Sequence, residues 1–348
     1  MKVIKINKKN WAGGLEKSKG SYRLFGPVKN NELYEFKRLD KGELPDCDYF
    51  NTRLSPKSII YPQSETMFEF SLDENKENHH ILNETDRDCS PRAIIGIRPC
   101  DAAAFLVVKR NFDTPEYKDP YWLMAYETTT FVGLSCIEPH SSCFCTTVGS
   151  GPFNEEGLDL LLVDAGDYYF AKIITSKGED FLKAADWDAG TDVETVHEQI
   201  KTMKQEAEAK IISFVATDKL RDKKTTDLFD APFWEETAFA CINCGICTYA
   251  CPTCWCFDIQ DEVRGYSGIR IRNWDSCMYP LFTLHASGYN PRSVVAQRVR
   301  QRFMHKLKYY VDKYGKGVQC VGCGRCIRLC PVNIDIRKVC DMMNSYGD

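Results

Sequence analysis

Two runs of cysteines near the C-terminus repeat one spacing of thiols. Each run has the form C-x2-C-x2-C-x3-C-P, over residues 241–252 and again over residues 320–331. Thiolates are soft ligands that bind zinc, copper(I) and iron–sulfur clusters. Gly245 and Gly324 lie inside the loops, where a residue without a Cβ adopts a left-handed turn and lets the backbone approach a metal centre. The repeat therefore predicts two metal centres in this part of the chain.

The spacing favours iron–sulfur clusters over the alternatives, which are zinc and an empty, degenerate site. Structural zinc sites typically use two separated pairs of ligands, and neither run has that layout. The spacing resembles that of bacterial two-cluster ferredoxins, in which three cysteines of one run bind one [4Fe-4S] cluster and the fourth binds the other. The predicted ligands are Cys241, Cys244, Cys247 and Cys330 for the first cluster, and Cys320, Cys323, Cys326 and Cys251 for the second. Such clusters carry single electrons.

Four cysteines in the first half of the chain form a candidate third site. Cys100 follows a predicted strand at 94–98 and precedes a helical run, and Cys136 follows a predicted strand at 130–135. If these strands form a right-handed βαβ unit, both cysteines lie at the same carboxyl edge of the sheet. Cys143 and Cys145 follow within a short loop. We therefore expect these four cysteines to bind a third [4Fe-4S] cluster.

The alternative for this set is structural. Free cysteine is among the most buried residue types, and Cys143 with Cys145 also forms a C-x-C pair of the kind that undergoes redox chemistry. At a helix N-terminus the pKa of the Cys100 thiol is expected to be lowered, which favours metal binding. Arg98 and Asp101 flank Cys100, where they either tune a cluster or cap the helix together.

Three further cysteines lie between or beside the two runs. Cys254 and Cys256 follow the first run directly, and Cys277 lies between the runs. These thiols could bind an additional centre, replace Cys251 as a ligand, or pack around the clusters. The cysteines without a partner pattern are Cys47, Cys89 and Cys340.

The hydrophobic patterns divide the chain into two predicted domains. Short β-type runs at 93–97, 130–135, 158–163 and 168–174 alternate with helical patterns, which predicts an α/β domain over residues 1–230. A polar stretch at 217–227 marks the boundary. Residues 231–348 are predicted to form an α-rich domain with a two-[4Fe-4S] ferredoxin-like module and an insertion at 257–315. Residues 192–215 give the clearest helical pattern in the first domain.

A basic amphipathic helix is predicted over residues 290–316. Its cations include Arg298, Arg302 and Lys306, interleaved with apolar residues at helical spacing. A basic face of this kind docks an acidic electron-transfer partner or offsets the negative charge of thiolate-bound clusters. A merely solvated surface is the third interpretation.

Composition argues against several classes of partner. The chain has 348 residues, of which 43% are hydrophobic and 27% charged, and its formal net charge is −4. This charge predicts no attraction to nucleic acid or to an anionic membrane. The sequence shows no apolar signal segment and no run approaching the roughly 18 apolar residues of a membrane span, so a cytoplasmic protein without direct membrane insertion is expected. Its 18 cysteines are then metal ligands rather than disulfides, which suits an anaerobic metabolism.

Several blocks in the same order extend the comparison beyond the ferredoxin spacing. They are residues 95–101, Cys136 with residues 143–152, residues 158–164, residues 251–258 and residues 274–278. These blocks resemble the iron–sulfur beta subunit of sulfhydrogenases and the corresponding iron–sulfur subunit of anaerobic sulfite reductase, from about Tyr22 onward. The 4Fe-4S dicluster module of that family corresponds to Cys241 to Pro331.

The resemblance implies an electron-transfer subunit of a multi-subunit anaerobic oxidoreductase, with no catalysis by this chain alone. A partner subunit with FAD and a [2Fe-2S] cluster would handle NAD(P)H, and a catalytic subunit would hold nickel–iron or sirohaem. The sequence agrees with that division of labour, because it has no strong G-x-G-x-x-G dinucleotide motif and no catalytic constellation among its 6 histidines.

Two other functions remain as alternatives. The same module serves heterodisulfide-reductase-like and other flavin-based complexes, and the neighbouring subunits would decide between these and the first interpretation. A non-enzymatic iron–sulfur sensor is the third possibility. A sensor needs a readout domain, and the sequence shows no DNA-binding helix pattern or basic tail.

Overall fold

The computed structural model describes residues 2–187, 194–315 and 317–347. Its strands are β1 (Val3–Asn7), β2 (Arg23–Asn30), β3 (Leu33–Arg38), β4 (Ser64–Ser71), β5 (Asn83–Glu84), β6 (Arg92–Ile97), β7 (Thr129–Leu134), β8 (Leu160–Asp164), β9 (Tyr168–Ile173), β10 (Phe257–Arg264) and β11 (Ser267–Trp274). Its helices are α1 (Lys8–Ser18), α2 (Lys57–Ile60), α3 (Pro99–Phe112), α4 (Pro120–Glu127), α5 (Ser176–Ala184), α6 (Glu194–Ala209), α7 (Thr225–Phe229), α8 (Phe233–Ala238), α9 (Ile246–Tyr249), α10 (Val295–Met304), α11 (Tyr310–Tyr314), α12 (Arg325–Arg328) and α13 (Ile336–Ser345).

A seven-stranded sheet organises the first half of the chain, in the order β1-β9-β8-β7-β6-β2-β3. The central strands β2, β6, β7 and β8 pair in parallel. Strands β3, β9 and β1 complete the two sides in antiparallel pairs. The sheet-rich first half predicted from the sequence is confirmed, and each of the four predicted strands coincides with one of β6 to β9 to within two residues.

Both faces of the central strands are buried. Ile94 of β6 belongs to a core that includes Phe105 of α3. The next residue, Ile95, belongs to a second core with Leu15 of α1 and Phe181 of α5. Because successive side chains of a strand point to opposite faces, helices cover the sheet on both sides, as parallel strands require.

A second sheet joins the two predicted domains. It has the order β10-β11-β4-β5, and its strands pair antiparallel. Strand β4 comes from the first half, whereas the β10–β11 hairpin comes from the predicted insertion. Arg272 of β11 is buried and forms ion pairs with Glu65 and with Asp119, each at 2.5 Å. The division at residue 230 stays a prediction, since this sheet draws strands from both sides of it.

Helices dominate the rest of the second half. Trp234 of α8, Phe303 of α10 and Val339 of α13 pack into one core, which also takes in Phe144 from the first half. A π-helical turn at His305–Tyr309 joins α10 to α11. The basic helix predicted over 290–316 is therefore a continuous helix over residues 295–314.

The helix predicted over residues 192–215 is shorter in the structure. Helix α6 ends at Ala209, and residues 192–193 lie outside the described residues. Residues 211–217 form no regular secondary structure, and Val215 is buried in the second-half core. The ammonium of Lys210 donates a hydrogen bond to the carbonyl of Ile137 (3.2 Å). Packing against other segments therefore overrides the helical spacing of the apolar residues after α6.

Candidate iron–sulfur sites

The parallel strands β6 and β7 bring together the four cysteines of the first half. Cys100 is the second residue of α3, which begins directly after β6. Cys136 lies just beyond the end of β7, at the same edge of the sheet. Cys143 and Cys145 lie in the loop that follows, and all four cysteines line one cavity of about 30 Å³. The topology thus brings together four thiols whose first and last members, Cys100 and Cys145, are 45 residues apart in the chain.

Burial controls the protonation of three of these thiols. It raises the pKa of Cys100 well above its ordinary value, and the neighbouring Asp101 adds to the effect. Burial also raises the pKa of Cys136, and it raises that of Cys145 to about 12. The predicted lowering of the Cys100 pKa at the helix N-terminus is wrong, because desolvation of the thiolate outweighs the helix dipole. These thiols lose their protons only when a cation takes the proton's place.

The first cysteine run and the end of the second surround another cavity of about 30 Å³. The predicted ligands Cys241, Cys244, Cys247 and Cys330 all line it, together with Cys326. Gly245 adopts φ +71°, and a Cβ at this position would lie 2.8 Å from the hydroxyl oxygen of Tyr279. The loop therefore depends on glycine both for its left-handed turn and for its approach to Tyr279.

The remaining four cysteines of the two runs also lie near one another. Burial raises the pKa of Cys320, and the charges of Cys326, Cys251 and Cys323 raise it further. The thiol of Cys251 lies 3.3 Å from the hydroxyl of Thr253, within hydrogen-bond distance. Cys251 thus lies beside the second run, and Cys330 lies beside the first.

Cysteines of the second run also line the cavities of the other two groups. Cys323 of the second run lines the cavity of the first-half cysteines. Cys326 of the same run lines the cavity of the first run. The backbones of the second run and of the first-half cysteines meet at Gly322, where an added Cβ would lie 2.5 Å from the backbone nitrogen of Cys145. The second run therefore lies between the other two groups and touches both.

Buried cations surround these cysteines. Arg302 and Lys306 are 4% and 3% exposed, and Arg298, one helical turn before Arg302, is also buried. Within the described residues, none of the three forms an ion pair with a carboxylate, whereas the Cys247 thiolate raises the pKa of Arg302 against the opposing effect of burial. The solvated-surface interpretation of this helix is wrong for these residues. Arg298 donates to the carbonyls of Arg292 and Ser293, whereas the position of Arg302 and Lys306 favours compensation of thiolate charge.

One further buried lysine lies at the end of the first run. The ammonium of Lys57 donates to the carbonyls of Cys251 (3.2 Å) and Cys254 (3.0 Å), and it lies 4.1 Å from the centre of the Trp274 ring. Burial lowers the pKa of Lys57 to about 8. No spacing rule in the sequence connects Lys57 with residues nearly 200 positions away, so its role could not be predicted. The i, i+4, i+8 spacing of Arg298, Arg302 and Lys306, in contrast, indicates that the three cations lie on one side of a helix.

Arg98 and Asp101 have separate partners. Arg98 donates to the carbonyls of Ser135 (2.7 Å) and Tyr49. Asp101 forms an ion pair with Arg325 of the second run. The alternative in which Arg98 and Asp101 cap α3 together is therefore wrong, and both side chains instead connect the edge of the sheet to neighbouring segments.

The side chains fit multi-iron clusters better than single ions. Among the residues that the structure describes, no three His, Cys, Asp or Glu side chains converge closely enough to hold one metal ion. A zinc ion would require its ligand atoms about 2.0–2.3 Å from one centre. Thiols spread around a cavity, with glycines in the loops and cations behind them, suit a cluster in which each thiolate binds a different iron.

Comparison with known proteins agrees with this chemistry. A family model described as a 4Fe-4S dicluster domain matches residues 240–334. Over 98% of its length the chain is 29% identical to "Sulfhydrogenase 2 subunit beta" of Pyrococcus furiosus, of which it covers 98%. The resemblance stated from the sequence is thereby confirmed. No solved structure matches the chain. No helix in the described ranges is long and apolar enough to span a membrane.

Proposed function

We propose that this chain is the iron–sulfur electron-transfer subunit of a multi-subunit anaerobic oxidoreductase of the sulfhydrogenase or sulfite-reductase type. The observation that carries the proposal is that the second run lines the cavities of both other groups of cysteines. Cys323 lines the cavity of the first-half cysteines, and Cys326 lines the cavity of the first run. A carrier of electrons needs redox centres in close succession, and this arrangement supplies adjoining sites for them. In this proposal the chain acts in the cytoplasm and does not catalyse a reaction alone.

The proposed ligands are those that the sequence predicts. The first centre is held by Cys241, Cys244, Cys247 and Cys330, the second by Cys320, Cys323, Cys326 and Cys251, and the third by Cys100, Cys136, Cys143 and Cys145. When bound, [4Fe-4S] clusters supply one-electron transfer over potentials from about −700 to +450 mV.

The protein's own contribution is to bury the sites and to set their charge. Eleven of the twelve proposed ligands are buried or half-buried, which lowers the local dielectric constant and strengthens each charge interaction. Arg302 and Lys306 stabilise the more negative, reduced state, because they place positive charge beside the thiolates. The ion pair of Asp101 with Arg325 fixes the third site against the second run.

The exposed end of the relay is at the first run. Cys244 is exposed, and its neighbours Phe239 and Ile242 are 93% and 64% exposed. Apolar side chains beside a ligand thiol suit the docking of a protein partner, since they bury apolar area and exclude water from the electron path. We assign this surface, defined by Phe239, Ile242 and Cys244, to contact with a partner subunit.

The relative from Pyrococcus furiosus is named as a subunit, which supports a partner-dependent role for this chain as well. The proposed partners are a flavin subunit, with FAD and a [2Fe-2S] cluster, that exchanges electrons with NAD(P)H, and a subunit with a catalytic metal. The direction of flow between them depends on the potentials of their cofactors.

Anaerobic affinity purification of the chain from its native cell, followed by flavin and metal analysis, tests this assignment. The expected result is a stable complex that contains FAD and either nickel or sirohaem. A stable complex with neither a flavin nor a catalytic metal subunit would remove the proposal. A flavin with a catalytic centre of another kind would indicate the heterodisulfide-reductase-like alternative.

A further inference from the structure

A fourth group of cysteines surrounds a separate cavity. Cys254 and Cys256 follow the first run, and Cys277 lies in the turn after β11. Together with His305, at the start of the π-helical turn, they line a cavity of about 30 Å³. The volume equals that of each of the two cysteine-lined cavities described above.

Two buried N–H groups on the wall of this cavity have no hydrogen-bond partner among the described residues. They are the indole Nε1 of Trp255 and the guanidinium Nε of Arg302. A buried donor without an acceptor is destabilising, and most such groups in proteins are satisfied. Sulfide or thiolate sulfur inside the cavity would supply the missing acceptors.

The charge around the cavity also favours an anion inside it. Lys306 lies on its wall, and the ammonium donates to the hydroxyl of Thr253 (2.9 Å). In the described part of the chain, neither Lys306 nor Arg302 pairs with a carboxylate. A buried cation is strongly disfavoured without a compensating anion. An anionic cluster bound by thiolates here would add to the compensation of both cations, which also lie beside thiols of the two ferredoxin-type runs.

We propose that Cys254, Cys256 and Cys277 bind a further [4Fe-4S] cluster, with the imidazole of His305 as the fourth ligand. The His305 ring packs edge-on against Trp255, with 6.1 Å between ring centres, which holds it on the cavity wall. Cys251, the nearest other thiol, already belongs to the set of the second run. This site is additional to the three centres of the proposed function. It rests on the proposed function only because the chain must be loaded with iron and sulfide.

Three thiolates and one imidazole are also a donor set for zinc. The positions of the side chains argue against zinc, because no three such groups in the described ranges converge on a point where one ion would bind. The test must therefore measure zinc as well as iron.

The experiment compares wild type, Cys277→Ser and Cys256→Ser with the control Cys89→Ser, all purified anaerobically. Cys89 is exposed and lines none of the three cysteine cavities described above. Each of the two cavity variants is expected to lose about four irons and about four sulfides, the content of one [4Fe-4S] cluster. The EPR signals of the other reduced clusters should persist, which shows that the variants fold. Cys89→Ser should match wild type.

A second variant, His305→Cys, tests the imidazole. Its iron content should equal that of wild type, and one reduced-state EPR signal should shift because a thiolate replaces a neutral ligand. An unchanged spectrum would overturn the assignment of His305. Unchanged iron in both cysteine variants, or loss of one zinc in place of iron, would overturn the site. Wild-type protein without any iron or sulfide would instead overturn the proposed function.

Discussion

Asp101 and Arg325 form a bidentate ion pair in which both side chains are buried. The two N–O distances are 2.5 and 2.7 Å, and the residues are 1% and 0% exposed. Asp101 follows Cys100 in α3, and Arg325 precedes Cys326 in the second run. Burial opposes the charge on Arg325, yet Asp101 holds the pKa of the guanidinium well above its ordinary value. The pair therefore fastens the third candidate site to the second run.

Removal of one partner of this pair should be strongly destabilising. Arg325→Met leaves the carboxylate of Asp101 buried without a counter-charge, and the free energy of unfolding should fall by about 3–5 kcal/mol. The double variant Asp101→Leu/Arg325→Met should recover much of this loss, because no buried charge remains. Anaerobic urea unfolding followed by tryptophan fluorescence measures both. A single variant as stable as wild type would show that the pair does not hold the two segments together.

Gly322 should tolerate no side chain. Its φ is +67°, and an added Cβ would meet the backbone nitrogen of Cys145 at 2.5 Å. Gly288 has a comparable φ of +82° but open space around the same position. Gly288→Ala should therefore cost about 1 kcal/mol of conformational strain, whereas Gly322→Ala should cost more and release iron from the neighbouring sites. Equal melting temperatures and equal iron contents for the two variants would refute this.

Arg302 should raise the reduction potential of the centre beside it. Positive charge favours the reduced, more negative state, so Arg302→Gln should lower the potential, by an amount on the order of 50 mV. The control is Arg300→Gln, because Arg300 stacks on Phe229 at 3.5 Å, away from the thiols. EPR-monitored redox titration gives both values. A potential that rises or stays fixed in Arg302→Gln would contradict the charge argument.

Ile242 should contribute to partner binding without affecting cluster content. The substitution Ile242→Asp places a charge at the centre of the surface formed with Phe239 and Cys244, and it should weaken complex formation at least tenfold. Tyr117→Asp, at a side chain that is 78% exposed, is the control. Pull-down and iron analysis on the same samples separate the two effects. Normal complex formation by Ile242→Asp would place the docking surface elsewhere.

The grouping of the cysteines could be predicted from the sequence better than the residues that surround them. Cysteine spacing is a local signal, and the ordering of strand and helix around Cys100 and Cys136 sufficed to place both at one sheet edge. The pKa of Cys100 could not be predicted, because it depends on burial by residues distant in sequence. The contacts of Lys57 and Arg325 could not be predicted either, because their partners are 194 and 224 positions away. The second sheet escaped prediction because β4 and β11 form it from opposite halves of the chain.

The most direct test of the central claim is the iron and acid-labile sulfide content of anaerobically purified wild type and Cys100→Ala. The claim is that redox centres lie in both halves of the chain and adjoin through the second run. It predicts that Cys100→Ala loses about four irons, while the EPR signals of the ferredoxin-type pair remain. Cys89→Ala should retain the full content. Equal iron in Cys100→Ala and wild type would contradict the account and confine the redox centres to the second half.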